Sequence, residues 1–169
     1  GSRSKIIGII VNDLTNSFFA ELAVGIDMVV QSAGYVQFLS SCAENPGRQQ
    51  ELIGSMREHG VSGLIICPAR GTQASDFKAL ETSGIPVVVA VRNLPGTRAS
   101  TLVSANAVGT RAATEHLLSL GHRRIAFLGG FSDMGVLEER ISGYRGALSD
   151  ARILFDEQLV VNAPPSRAG

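Results

Sequence analysis

Hydrophobic positions along this chain follow two alternating rhythms. The continuous apolar run "KIIGIIV" (5–11) has the form of a strand covered on both faces, and "YVQFLS" (35–40), "GLIIC" (63–67) and "PVVVAV" (86–91) read as further strands. Between them, apolar residues recur at helical spacing. Phe18, Phe19, Leu22, Ala23, Ile26, Val30 and Ala33 make one stripe, closed by Gly34 in the position of a left-handed cap. Asn45 followed by Pro46 is a helix start: a side-chain acceptor, then a residue with no amide hydrogen to satisfy. Gln49, Leu52, Ile53 and Met56 carry that helix to Gly60, and "DFKALETSG" (76–84) predicts a shorter one.

The polar stretch "RNLPGTRAST" then interrupts the rhythm and predicts a domain crossover. After it come a strand at 101–103, a helix over 107–120 ending on Gly121, and a strand at 124–130. A helix over 136–150 carries Leu137, Ile141, Tyr144 and Leu148 on one stripe, and "EQLVV" (157–161) reads as a last strand. Strand–helix alternation with apolar strands predicts a parallel, doubly wound α/β fold. The expected organisation is a linker remnant at 1–4, with Gly1 and Ser2 resembling a cloning scar, a first lobe over 5–92 and a partial second lobe over 101–169. The second sheet is expected to start at residue 101 and to hold only three strands. Leu117 and Leu120 are expected to pack inward there. Leu52, Ile53 and Met56 cannot all turn inward on a regular helix, so at least one is expected to stay at the surface.

Charge narrows the function classes. Fifteen basic residues balance fifteen acidic ones, which leaves no field to draw in nucleic acid or an anionic membrane. No run of about 18 apolar residues predicts a membrane span, and the start lacks an apolar signal region, so export is not expected. Cys42 and Cys67 have no metal or redox spacing; they read as reduced, part-buried thiols of the cytoplasm. His59, His116 and His122 fall near helix ends, without metal-ligand spacing to one another. Neither GxGxxG after a strand, nor GxxxxGK[ST], nor GxSxG occurs. No cofactor, metal or enzymatic activity is expected.

Open parallel sheets bind ligands beyond the carboxyl ends of their strands, so candidate contacts are sought there. Strand one runs into "NDLTNSFF" (12–19), where Asn12, Asp13, Thr15 and Asn16 offer hydrogen-bonding groups and Phe18 and Phe19 offer ring faces. Adjacent helical residues diverge by about 100°, so one phenylalanine serves the core and the other is left for a ligand. Arg92 follows strand four with a fork suited to hydroxyl or carboxylate groups. Ser104 and Asn106 are possible caps for the helix in which Arg111 lies.

Taken in order, "SRSKIIGIIVNDLTNSFFAELAVGI", "AENPGRQQELI", "GVSGLIICPA", "GIPVVVAVRN", "GTRAATEHLLSLGHRRIAFLGG" and "ERISGYRGAL" resemble the effector-binding core of the lactose-repressor (LacI/GalR) family of bacterial transcription regulators. The likeness covers nearly the whole chain. Its most specific piece is "HLLSLGHRRIAFLGG" joined to "RISGYRGAL", and "SRSK" looks like the tail of a linker to a helix-turn-helix. The resemblance implies a type I periplasmic-binding-protein-like fold of two lobes and a small-molecule effector, a sugar or related metabolite, held between them. It further implies operator DNA read by an N-terminal domain absent from this chain, a homodimer, a cytoplasmic location and no membrane. By position it implies effector contacts at Asn16, Phe18 or Phe19, Arg92, Asn106, Arg111 and Arg140. Two departures stand out: Val91 before Arg92 and Ala105 before Asn106 replace aspartates common in the family, which leaves a less polyol-like effector open. A family core runs about 100 residues longer than this chain, which fits the incomplete second sheet. The alternatives are a periplasmic-type sugar-binding protein of a transport system and, disfavoured by the missing phosphate loops, a nucleotide-using α/β enzyme.

Overall fold

In the computed structural model, which describes residues 4–130 and 135–163, the apolar run Ile6–Val11 forms β1. Its neighbours are β2 (Val36–Ser41) and β3 (Gly63–Ile66), and β4 (Val87–Val91) and β5 (Ser100–Val103) complete a five-stranded sheet ordered β2-β1-β3-β4-β5. Every pairing is parallel, with Ile9 opposite Leu39 and Ile65. Alternate side chains of a strand point to opposite faces. Ile9 and Val11 therefore join Phe19, Cys67 and Ala90 in one buried cluster, while Ile10 joins Leu52, Ile53, Met56, Leu64, Ile66, Phe77, Leu80 and Val89 in another. Each fully buried side chain of this size contributes about 1.5–3 kcal/mol.

Three helices cover the sheet. Helix α1 (Ser17–Ser32) starts where the Asn16 side chain accepts the Phe18 amide. It ends in a Schellman turn, with Gly34 at φ +76° and the Tyr35 amide donating to Val30 O at 2.8 Å. Helix α2 (Pro46–Glu58) has Asn45 as its cap and Pro46 in the first turn. It packs so tightly that a Cβ at Gly8 would lie 2.6 Å from both Leu64 Cδ2 and Met56 Sδ. The expected helix over 76–84 is shorter: a 3₁₀ turn at Ala74–Phe77 leads into α3 (Lys78–Glu81).

The division of the chain differs from the sequence-based expectation. It falls into two units, Gly1–Val103 and Ser104–Gly169. The strand at 101–103, expected to open the second sheet, instead pairs with β4, Val89 opposite Thr101. "RNLPGTRAST" is therefore a connection inside the first unit. The Glu81 carboxylate holds it, accepting the Thr97 hydroxyl at 2.8 Å and the Arg98 amide at 2.6 Å. Polar, Pro/Gly-rich composition marks a loop; it does not distinguish a loop within a sheet from one between domains.

The second unit contains α4 (Asn106–Ser119), β6 (Phe127–Gly129), α5 (Gly135–Asp150), a 3₁₀ turn at Glu157–Leu159 and β7 (Val160–Asn162). Its described strands are the parallel pair β6 and β7, so the runs expected as strands over 124–130 and 157–161 are strand over only part of their length. Its core gathers Ile125, Tyr144 and Leu148, flanked by Leu118, Phe127, Ile153, Phe155 and Val160. The buried Tyr144 hydroxyl donates to Ile125 O at 2.8 Å. Helices α4 and α5 touch backbone to backbone: a Cβ at Gly143 would sit 2.0 Å from Ala107 O.

Two packing expectations change. Leu117 and Leu120 face solvent, and Leu118 takes the inward position. Leu128 is also exposed. Leu52, Ile53 and Met56 are all buried in the first unit, because both the sheet and the 3₁₀–α3 segment receive side chains from α2. The surplus apolar surface lies instead on α1, at Val24, Met28 and Val29, and on edge strand β2, at Val36, Phe38 and Leu39.

Candidate functional site

Strand ends of β1 to β4 in the first unit carry a dense polar network. Asn12, completely buried, donates through Nδ2 to Pro68 O at 3.3 Å, while its backbone oxygen accepts the Ser41 hydroxyl and the Glu44 amide. It thereby joins the ends of β1, β2 and β3. Buried Gln49 does the same from α2, accepting the Ala69 amide at 2.8 Å and donating to Thr72 Oγ1 at 3.1 Å. Asp13 folds back on its own loop, where Oδ1 accepts both the amide and the hydroxyl of Thr15.

Arg92 meets the carboxylate of Glu44 fork to fork, Nη1 to Oε2 at 2.8 Å and Nη2 to Oε1 at 2.5 Å. Nη1 also donates to Pro68 O at 2.6 Å, and Glu44 Oε2 accepts the Arg70 amide at 3.0 Å. The pair ties the loops after β2, β3 and β4 together, its side chains only 12% and 24% exposed. Backbone strain flanks both partners. Ala43 and Glu44 have φ of +50° and +57°, and Val91 has +74°, a conformation rare for a β-branched residue. The Arg92 amide bonds to Ala90 O at 2.9 Å across Val91, closing a γ-turn.

Residues predicted as contacts separate by role. Asn16 caps α1 through Oδ1, 3.1 Å from the Phe18 amide. Phe19 is core, whereas Phe18 stands 47% exposed with its ring edge-on to Phe19, centroids 5.2 Å apart. One phenylalanine inward and one outward is what their angular separation demands. Exposed Leu14 lies in the same loop.

In the second unit, Asn106 and Arg140 come together at the start of α4: Arg140 Nε donates to Asn106 Oδ1 at 3.2 Å, and Asn106 Nδ2 donates to Glu139 Oε2 at 2.9 Å. Asn106 is not a cap. The cap position is Ala105, which has no side-chain acceptor. Arg111 points along α4 and α5 instead, bonded to Asp150 and to Glu115 at 2.8 Å. The Asp150 carboxylate foremost, with Glu115 assisting, holds its guanidinium pKa above the ordinary value. A separate cleft of about 180 Å³, lined by Arg123, Arg124, Ile125, Tyr144 and Leu148 among others, contains none of the predicted contacts.

Sequence reasoning missed Glu44 and Gln49. The only available signal was position, since each sits at or just after a strand-to-helix joint. Among the described residues no group of His, Cys, Asp and Glu is placed to hold a metal ion, and no helix is long and apolar enough to cross a membrane. The Cys67 thiol, chiefly through burial, is pushed up to about 12.

A doubly wound sheet with a built polar rim at its strand ends defines the ligand-binding α/β class. Residues 4–165 match the family described as periplasmic binding proteins and the sugar-binding domain of the LacI family, and the chain belongs to that family. The maltose regulon regulatory protein MalI of Escherichia coli K12 is 30% identical over 99% of this chain and 49% of its own length. The transcriptional repressor PurR of Vibrio atlanticus is 28% identical over 95% of this chain and 48% of its own. This chain thus spans about half the length of those relatives. The crystal structure of a candidate ribose operon repressor from Burkholderia thailandensis superposes with a TM-score of 0.86 at 33% identity, over 95% of this chain and 61% of that one.

Proposed function

We propose that this chain is the effector-sensing core of a LacI-type transcriptional regulator. It binds a small metabolite, sugar-like or related, and so controls operator binding by a helix-turn-helix domain elsewhere in the whole protein. The observation that carries the reading is the family match over nearly the whole chain, to relatives named as transcriptional regulators. Those names also favour a regulator over a transport protein and a non-catalytic, cytoplasmic role. In this reading Asn16 and Phe18 are the effector contacts proposed for the first unit, and Asn106 and Arg140 those proposed for the second. Arg92 positions the rim, and Arg111 reaches an effector only by leaving Asp150.

Homodimerisation belongs to the same proposal, through a surface other than α2. Val24, Met28 and Val29 on α1 and Val36, Phe38 and Leu39 on the neighbouring edge strand β2 are exposed apolar side chains, of the kind that marks association. Sedimentation of the 169-residue chain should show a dimer at micromolar concentration, and Met28→Glu should shift it to monomer. The functional reading is tested on the full-length regulator by operator gel shift against a metabolite panel. One member should change operator affinity, and no response to any sugar or related metabolite would remove the reading.

A further inference from the structure

We infer that Glu44 is a specificity-determining residue: it neutralises Arg92 so that the first unit's rim receives a neutral effector and not a phosphorylated or carboxylated one. The inference rests on the effector-sensing reading and narrows its substrate class. Arg92 stands where a strand-end guanidinium would ordinarily anchor an anion, since its planar fork fits carboxylate and phosphate oxygens in pairs. Here that fork is already filled. Both Glu44 oxygens face it, at 2.8 and 2.5 Å, and Nη1 gives its second proton to Pro68 O at 2.6 Å. The carboxylate is held in turn by the Arg70 amide at 3.0 Å. An incoming anion would meet the carboxylate's repulsion at nearly the distance at which it met the guanidinium's attraction, and the two Coulomb terms cancel.

Backbone geometry is the second, independent observation. Glu44 itself is left-handed at φ +57°, and the residue before Arg92 is left-handed at +74°. Two strained turns on separate loops converge on a single ion pair. Strain of this kind persists only where the surroundings over-determine it and gathers at functional positions. The rest of the rim agrees: Asp13 is turned into its own loop, and Phe18 and Leu14 supply the exposed surface. The surface offered is an apolar and ring face beside a charge-closed pair.

The test follows the Arg92 guanidinium signals by NMR in isotope-labelled 169-residue protein as inorganic phosphate is titrated to about 20 mM, well above a weak-site Kd of about 1 mM. The wild-type signals should not move. In Glu44→Gln, or Glu44→Ala if the first variant loses its native circular dichroism, the same titration should shift them saturably. Saturable movement of the wild-type Arg92 signals overturns the inference while leaving the effector-sensing reading intact. A folded Glu44 variant whose Arg92 signals stay still overturns it too, because the anion would then be excluded by something other than Glu44. The gel shift described above fails or succeeds independently of either outcome.

Discussion

The two units reach the same α/β pattern by different means. In the first, the inner strands of a five-stranded parallel sheet are covered on both faces while β5 stays exposed, and the core divides into two clusters by the alternation of β1 side chains. In the second, the described strands are two, and the closest packing is helix against helix, where Gly143 lets α5 approach the backbone of α4. The first unit is stabilised by a sheet, the second by an apposition of helices around Tyr144. The same strand–helix rhythm in sequence thus leads to different distributions of stability, because what fixes stability is the apolar area each strand finds to cover it.

Substitutions that break one unit at a time separate the two. Phe77→Ala, at a side chain buried to 0% exposure, should destabilise the first unit by about 3–5 kcal/mol. Hydrogen exchange should accelerate over 6–103 and much less over 106–162. Gly143→Ala should do the reverse. Its added Cβ collides with backbone and not with the end of a movable side chain, and overpacking of this kind costs typically about 1–3 kcal/mol, occasionally more. Exchange should accelerate over α4 and α5 while the five-stranded sheet keeps its protection. Equal acceleration in both halves from either substitution would show that the units fold as one.

Both cysteines belong to the first unit. Cys42 and Cys67 are fully buried, and burial raises both thiols, Cys67 to about 12. Only the thiolate reacts, so iodoacetamide at pH 8 should label neither in the native protein. Labelling, read by mass spectrometry, should follow opening of the first unit: fast in Phe77→Ala, slow in Gly143→Ala.

The smallest effect is an acid one. The Arg98 amide, then the Thr97 hydroxyl, lower the pKa of the Glu81 carboxyl in the folded protein. A depressed folded value means that its contribution is whole above the ordinary carboxylate range and is lost as pH falls through the lowered value. Glu81→Gln should therefore flatten the acid limb of the first unit's stability curve slightly and leave the second unit's unchanged.

Most of the first unit could be read from the chain because β1, β3 and β4 are continuous apolar runs and its helices have explicit ends at Gly34, Asn45 and Pro46. What escaped was pairing. Nothing local in "TLV" says whether it adds to the sheet behind it or begins another, and only register against β4 decides. The second unit was less legible. The 124–130 run predicts a strand, yet Leu128 is exposed and Ile125 serves the core from outside β6. At the rim, residue type identified groups able to bind but not whether the fold had already used them. Asn16 caps a helix, Arg92 is filled by Glu44, and Arg111 is drawn to Asp150. Helical geometry set Phe18 and Phe19 apart without saying which turns inward; Phe19 does, and Phe18 stays exposed.

In the proposed function, effector recognition lies at the strand-end rim of the first unit and at the Asn106–Arg140 pair of the second, and not at the Tyr144 cleft. It is tested most directly by NMR on the labelled full-length regulator, titrated with the metabolite that alters operator binding. Saturable shifts are expected at Phe18 in the first unit and at Asn106 and Arg140 in the second, with Arg123, Tyr144 and Ile153 unmoved. Shifts centred on Arg123, Tyr144 and Ile153, with Phe18 and Arg140 silent, would contradict it.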